Sequence, residues 1–297
     1  MRRLVSLGAR HEEATEAAEV PVAGTRPTKT LSLTVLVRLG IVAVVLGVAA
    51  GGIWFAGRLG TPAAGPTTTD IPALDIPEAD VQPGAAAPVG ATVVGEPATQ
   101  PSSRPGTETG GRPVLSIWAD RVSAVTGIPA RALIAYGNAE LQLRESQPGC
   151  RISWATLAGI GRIESNHGQY AGAVLRDNGY PSKPIIGVPL DGSPGVRSIP
   201  DTDHGALDGD PNYDHAVGPM QFVPSTWAKW GGGYDPQQID AAALAAAKYL
   251  CAGGRDMSSA QGWWSGVLSY NNSVDYARKV FGVADSYAKA AQGVRVS

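Results

Sequence analysis

The chain has 297 residues and a formal net charge of −2, from 24 basic and 26 acidic side chains. It is long enough to bury a sizeable core, and its near balance of charge excludes the broad basic field that draws a protein to nucleic acid. No Phe, Tyr or Trp occurs between Phe55 and Trp118, and every tyrosine and every tryptophan except Trp54 lies beyond residue 117, so the folded domain is expected in the C-terminal part.

Residues 1–38 read as a cytoplasmic tail carrying Arg2, Arg3, Arg10, Arg26, Lys29 and Arg38. The uncharged stretch LGIVAVVLGVAAGGIWFAG, residues 39–57, comes close to the roughly 20 residues needed to cross a bilayer. The basic excess before it orients the N-terminus inward, and Trp54 and Phe55 suit the outer interface. A cleaved signal peptide is the competing reading, but the apolar core exceeds the usual length of such signals. One transmembrane helix, with everything after it outside the cytoplasm, is therefore expected.

Residues 58–112 are rich in Pro, Ala, Gly and Thr, lack aromatics and carry more acid than base, which reads as a disordered linker. Scattered prolines would extend it as a spacer.

From residue 113 to about 292 the pattern is helical. Leu115, Trp118, Val122 and Val125 recur at helix spacing, and Gly127 closes that segment. Pro129 opens a second helix running to about Leu143. Ser153 caps a third, SWATLAGIGRIES, which stops at Asn166, His167 and Gly168. Residues 169–217 are irregular, with IIGVPLDG as a short strand and turn; a loop this long inside a domain is usually functional. Helices return at PSTWAKW and at DPQQIDAAALAAAKYLCAGG, where Asp235 and Gln238 suggest a capping box and Gly253 a stop. Two more are expected, from Trp263 to Tyr270 and from Ser273 to about Ala290. The fold class is mainly α (α+β), with one long irregular insertion.

Cys150 and Cys251 both fall on the expected outer side, where disulfides persist, so pairing is expected; two buried thiols are the alternative.

Glu164 stands near the end of a largely apolar helix. Desolvation disfavours a charged carboxylate, so its pKa should rise and leave it able to act as a general acid. A solvent-facing glutamate at a frayed end is the plain alternative. Asp201, Asp203, Asp208, Asp210 and Asp214 crowd one loop, where turn capping is favoured over a bound cation or a second catalytic carboxylate. Its spacing does not match an EF-hand, and His167, His204 and His215 lack zinc-type spacing. Trp227, Trp230, Trp263 and Trp264 offer faces for sugars, with core packing the alternative.

Three ordered segments, GRIESNHG (161–168), VGPMQFVPSTW (217–227) and SYNNSVDYARKV (269–280), together resemble the lytic murein transglycosylases, in particular their membrane-anchored bacterial type. The resemblance covers about residues 113–290. It implies a lysozyme-like domain that cleaves the MurNAc-(β1,4)-GlcNAc bond of peptidoglycan as a carbon–oxygen lyase, leaving 1,6-anhydro-MurNAc ends during wall remodelling. Glu164 matches the catalytic acid/base and Ser165 its polar neighbour. Met220 and Gln221 match residues lining the cleft, and Tyr270 and Asn271 the pair facing the glutamate, with the tyrosine hydroxyl close to it. Met220 and Phe222 as core, and Asn271 as a turn residue, are the plain readings of the same positions.

No cofactor and no metal is implied. The expected partners are peptidoglycan strands and the membrane through the N-terminal helix, with wall-synthesis or division proteins as candidate protein partners. A muramidase hydrolysing the same bond, using a loop aspartate to activate water, and a non-catalytic glycan-binding scaffold are the rival functions.

Overall fold

In the computed structural model, which describes residues 76–88, 93 and 114–295, the apolar stripes of the sequence become seven helices around a shared core. The proposed membrane span, the tail before it and most of 58–112 lie outside the described residues. Among the described residues no helix is long and apolar enough to cross a membrane.

Helix α1 (Val114–Thr126) buries Leu115, Trp118, Ala119 and Val122. Val125, expected on that stripe, is 50% exposed. The chain leaves the helix at Gly127, whose φ is 72°, and Ile128 takes up the burial instead. Helix α2 (Ala130–Ser146) buries most of its length, which places it centrally. Pro129 sits at its N-cap, where its carbonyl accepts from Ala132 and Leu133, and the helix runs one turn past Leu143.

Helix α3 (Trp154–Ser165) opens on Ser153, whose hydroxyl accepts from the Thr156 amide at 3.3 Å. It packs most extensively on the last helix, α7 (Val274–Ala291), and also lies against α2. Glycines make that approach close. A Cβ on Gly159 would stand 2.9 Å from the Val280 carbonyl of α7, and one on Gly161 only 2.1 Å from the Tyr136 hydroxyl of α2. The helix ends in three successive left-handed residues, Asn166, His167 and Gly168 (φ 52°, 60° and 82°).

The insertion contributes the one sheet found among the described residues: β1 (Ile186–Pro189) antiparallel to β2 (His215–Val217), pairing Ile186 with Val217 and Pro189 with His215. Helix α4 (Pro224–Trp230) follows with Pro224 in its first turn. Helix α5 (Ile239–Leu250) is capped by Gln238, whose side chain accepts from the Ala241 amide at 2.9 Å. The expected capping box does not form, because Asp235 spends its carboxylate locally on the Gln237 amide two residues on. Gly253 is likewise not the immediate stop; Cys251 is the C-cap and Gly253 lies in the short 3-10 turn after it. Helices α6 (Ala260–Tyr270) and α7 are capped by Ser259 and Ser273.

Cys150 and Cys251 are joined as a disulfide, with Cα atoms 5.4 Å apart and a sequence separation of 101. It ties the approach to α3 to the end of α5.

Residues 76–88 and Val93 correct the expectation of a linker disordered throughout. Ile76, Ala79, Val81, Ala85 and Ala87 pack against the helical core, and Val93 is buried in it. Composition reports what a segment can bury by itself, whereas this stretch takes its partners from α2, α6 and α7.

Candidate functional site

Glu164 is the last residue but one of α3, and only 6% of it is exposed. Its Oε1 accepts a hydrogen bond of 2.5 Å from the hydroxyl of Tyr276, in the first turn of α7. A phenol on a carboxylate was expected here, but from Tyr270. The Tyr270 hydroxyl instead donates to the carbonyl of Met220 at 2.6 Å. Tyr270 is nonetheless within electrostatic reach of Glu164: burial first, then the Glu164 charge, holds its phenol well above the ordinary tyrosine range. Tyr276 carries a signal in hindsight. It begins the buried α7 stripe of Tyr276, Val280, Ala284, Ala288 and Ala291 at helical spacing, and α7 is the helix that packs most on α3.

Ser165 is fully buried and works as a clamp. Its hydroxyl donates to the Pro219 carbonyl at 2.6 Å and accepts from the Gly168 amide at 2.7 Å. The turn that follows β2 is thereby pinned to the end of α3. Val217 and Phe222 exchange two backbone hydrogen bonds across it, closing a tight hairpin over Gly218–Gln221. Met220 points into the core, its sulfur close to Gly161. Gln221 is held in a left-handed conformation (φ 48°), its side-chain amide donating to the Gly218 carbonyl at 3.0 Å. Asn271 is buried at the C-cap of α6.

A cleft of about 410 Å³ borders this hairpin, with Gln221, Phe222, Tyr249, Ser269, Tyr270 and Arg197 in its walls. Glu164 and Met220 lie outside the lining, so the cleft reaches the matched residues through Gln221 and Tyr270. Phe222 and Tyr249 meet Tyr270 edge-on, with ring centroids 5.7 and 5.5 Å away, which stiffens that wall.

The tryptophans serve mainly the core. Trp227, Trp263 and Trp264 are buried, and their ring N–H groups donate to the Tyr234 carbonyl, the Thr156 hydroxyl and the Ala85 carbonyl. Trp230 is partly buried, with Lys229 5.2 Å over its ring.

His167 is buried between two phenols, Tyr136 and Tyr287, each 3.1 Å from one ring nitrogen. Burial, and then the charge of Arg162, lowers its pKa to about 3. It stays neutral near pH 7 and ties α2 to α7.

The acidic loop is organised by its own amides. Asp201 accepts from Asp203, His204 and Gly205, and Asp203 from Ala206 and Leu207. Asp208 accepts from Asp210 and His215, Asp210 from Asn212, and buried Asp214 from the amide and hydroxyl of Thr202. Oxygens of Asp201, Asp203 and Asp214 lie within 4.8 Å of one another, close enough to share a cation. The same carboxylates already satisfy the loop, so their arrangement has a sufficient cause without one. His215 joins the loop to β1: Nδ1 lies 2.8 Å from the Gly187 carbonyl and Nε2 3.2 Å from Asp210.

No protein-family model, no curated protein and no solved structure matches the chain.

Proposed function

We propose that the domain is a lytic transglycosylase that cuts the MurNAc-(β1,4)-GlcNAc bond of peptidoglycan and leaves 1,6-anhydro-MurNAc ends. The observation that carries this reading is the meeting of three segments far apart in sequence. Ser165 holds Pro219, Tyr270 holds the Met220 carbonyl, and Tyr276 holds Glu164. All six residues come from the stretches that resemble that family.

Glu164 is the acid and then the base. It gives its proton to the glycosidic oxygen while the sugar's own N-acetyl oxygen stabilises the cationic centre. The carboxylate left behind then takes the proton of the C6 hydroxyl, whose oxygen closes the anhydro ring. The Tyr276 O–H keeps the carboxylate oriented and steadies its charge between the two steps. Met220, Phe222 and the Tyr270 ring provide apolar surroundings that keep water from competing.

A muramidase would need a second carboxylate to activate water or to act as nucleophile. The candidates for that role in the acidic loop, Asp201 to Asp214, are engaged as acceptors for backbone amides, which favours the lyase. The stretch 39–57 would anchor the chain, placing the domain on the wall side, where the Cys150–Cys251 bond suits an oxidising compartment.

The test is digestion of purified peptidoglycan by the full chain in detergent, with fragments weighed by mass spectrometry. Anhydro ends with no uptake of oxygen from labelled water are expected. Reducing ends carrying the label would replace the lyase by a hydrolase, and intact strands with glycan still bound would leave a scaffold.

A further inference from the structure

On its own, a stretch such as PEADVQPGAAAP has too little apolar surface to hold a shape. Docked on the domain, residues 76–88 are gripped chiefly by one residue of α7, through both its side chain and its backbone. Arg278 donates through Nε to the Val81 carbonyl at 3.1 Å, faces Glu78 at 3.9 Å and Asp275 at 3.7 Å, and receives the Ala79 amide on its carbonyl at 3.3 Å. One turn further along α7, Gly282 leaves room for this approach, since a Cβ there would stand 3.1 Å from that of Ala79. Glycine is a poor choice for a helix interior on propensity alone, and the close passage of the segment supplies a reason for it.

The segment also meets α6, and Val93 meets α2. The Trp264 ring of α6 donates to the Ala85 carbonyl at 3.0 Å. Further on, the Val93 amide donates to Glu140 at 3.4 Å. The other oxygen of Glu140 receives the Trp154 amide that opens α3, at 2.7 Å. One end of the segment therefore touches the helix of Tyr276, and the other touches the residue that anchors the helix of Glu164. Arg278 lies two residues from Tyr276, within the first turns of α7.

We infer that residues 76–88 with Val93 act as a positioning strap, and that Arg278, held by the strap, sets the Tyr276 hydroxyl on the Glu164 carboxylate. The inference rests on the reading of Glu164 as acid/base. Arg278 touches no substrate and is a positioning residue. The segment that would tether the domain is, over this stretch, part of the machinery that orders its site.

The test uses the full chain in detergent. Ala79→Glu places a bulky charged side chain against Gly282 without altering any helix, and Gly282→Leu wedges the same contact from the helix side. Hydrogen exchange of the amides of residues 79–87 reports whether the strap has lifted. Once it lifts, turnover on peptidoglycan should fall about ten- to a hundredfold, the scale of a roughly 1 Å misplacement, with little change in KM. Tyr276, buried in the wild type, should be nitrated faster by tetranitromethane. In a Tyr276→Phe background, Ala79→Glu should cost nothing more, because both changes break one contact.

A strap unprotected in the wild type, or unmoved by either wedge, would overturn the proposal. So would release of the strap with turnover and Tyr276 nitration unchanged, or a fully additive double variant. If the wild type yields no anhydro fragments, the functional reading fails separately, and faster or unchanged nitration of Tyr276 on strap release then decides the positioning role by itself.

Discussion

The end of α3 and the loop of residues 201–214 use the same chemical group in opposite ways. At the end of α3 a single carboxylate, Glu164, is buried among apolar helices and receives a side-chain hydroxyl from across the fold. In the loop, five carboxylates accept amides from residues mostly two to four places on. For Asp210 the bonds from Asn212 and His215 outweigh desolvation and hold its carboxyl below the ordinary range. Held that way, Asp210 stays ionised, which suits it to shaping backbone and not to delivering protons. The contrast separates a carboxylate held by a hydroxyl from a distant helix from carboxylates that brace their own loop.

The sharpest way to break that contrast is to neutralise one member of each region. Glu164→Gln keeps shape and an acceptor for Tyr276, yet removes the proton, so cutting should fall by about 10²- to 10⁴-fold while the domain still folds and binds glycan. Asp203→Asn should retain most activity. Release of soluble anhydro fragments measures both, and equal losses would end the distinction.

Next in size is the choice between two tyrosines. A hydrogen bond to a charged group contributes about 1.5–3 kcal/mol, so Tyr276→Phe should lower turnover roughly ten- to a hundredfold by that measure. Tyr270→Phe removes a bond to a backbone carbonyl and should act more through substrate affinity, since its ring lines the cleft. A larger turnover loss from Tyr270→Phe would restore the expectation drawn from sequence.

Smaller still, Asp214→Asn should destabilise the fold by about 1–3 kcal/mol, because the amide presents only one oxygen to the two Thr202 donors that the buried Asp214 carboxylate satisfies. Denaturant unfolding measures this, and the protein that remains native should keep the turnover of the wild type.

The mildest effect is on pH. Burial works against a charged His215, but the Gly187 carbonyl and the Asp210 and Asp208 carboxylates outweigh it and raise its pKa above 6.5. A raised folded pKa contributes stability that is fully present below 6.5 and is lost as pH climbs through the raised value. Protection of the loop amides should therefore be higher at pH 6 than at pH 8.5, and His215→Asn should remove the difference.

Local signals were legible where the cause was local. Ser153 and Ser273 cap the helices that their positions announced, and the loop aspartates bond to amides a few residues away, as Asp in a Gly-rich turn does. Glu164 and its burial followed from the apolar residues around it. Tyr276 was not legible as its partner, because 112 residues separate them and only the packing of α7 on α3 brings them together. Asp235 misled because two local uses of one carboxylate compete, and the turn at Gln237 prevailed over the helix. The strap failed to announce itself because composition describes a segment in isolation.

The Cys150–Cys251 bond encloses the whole insertion, with Glu164, Ser165, Met220 and Gln221 inside the loop it closes. A protease that clips the exposed stretch around Ser193–Val196 would leave two fragments still covalently joined, with β1 on one and the rest of the sheet on the other. Such a nicked molecule should run as one band on a non-reducing gel and as two after reduction, and its site residues would not drift apart in between.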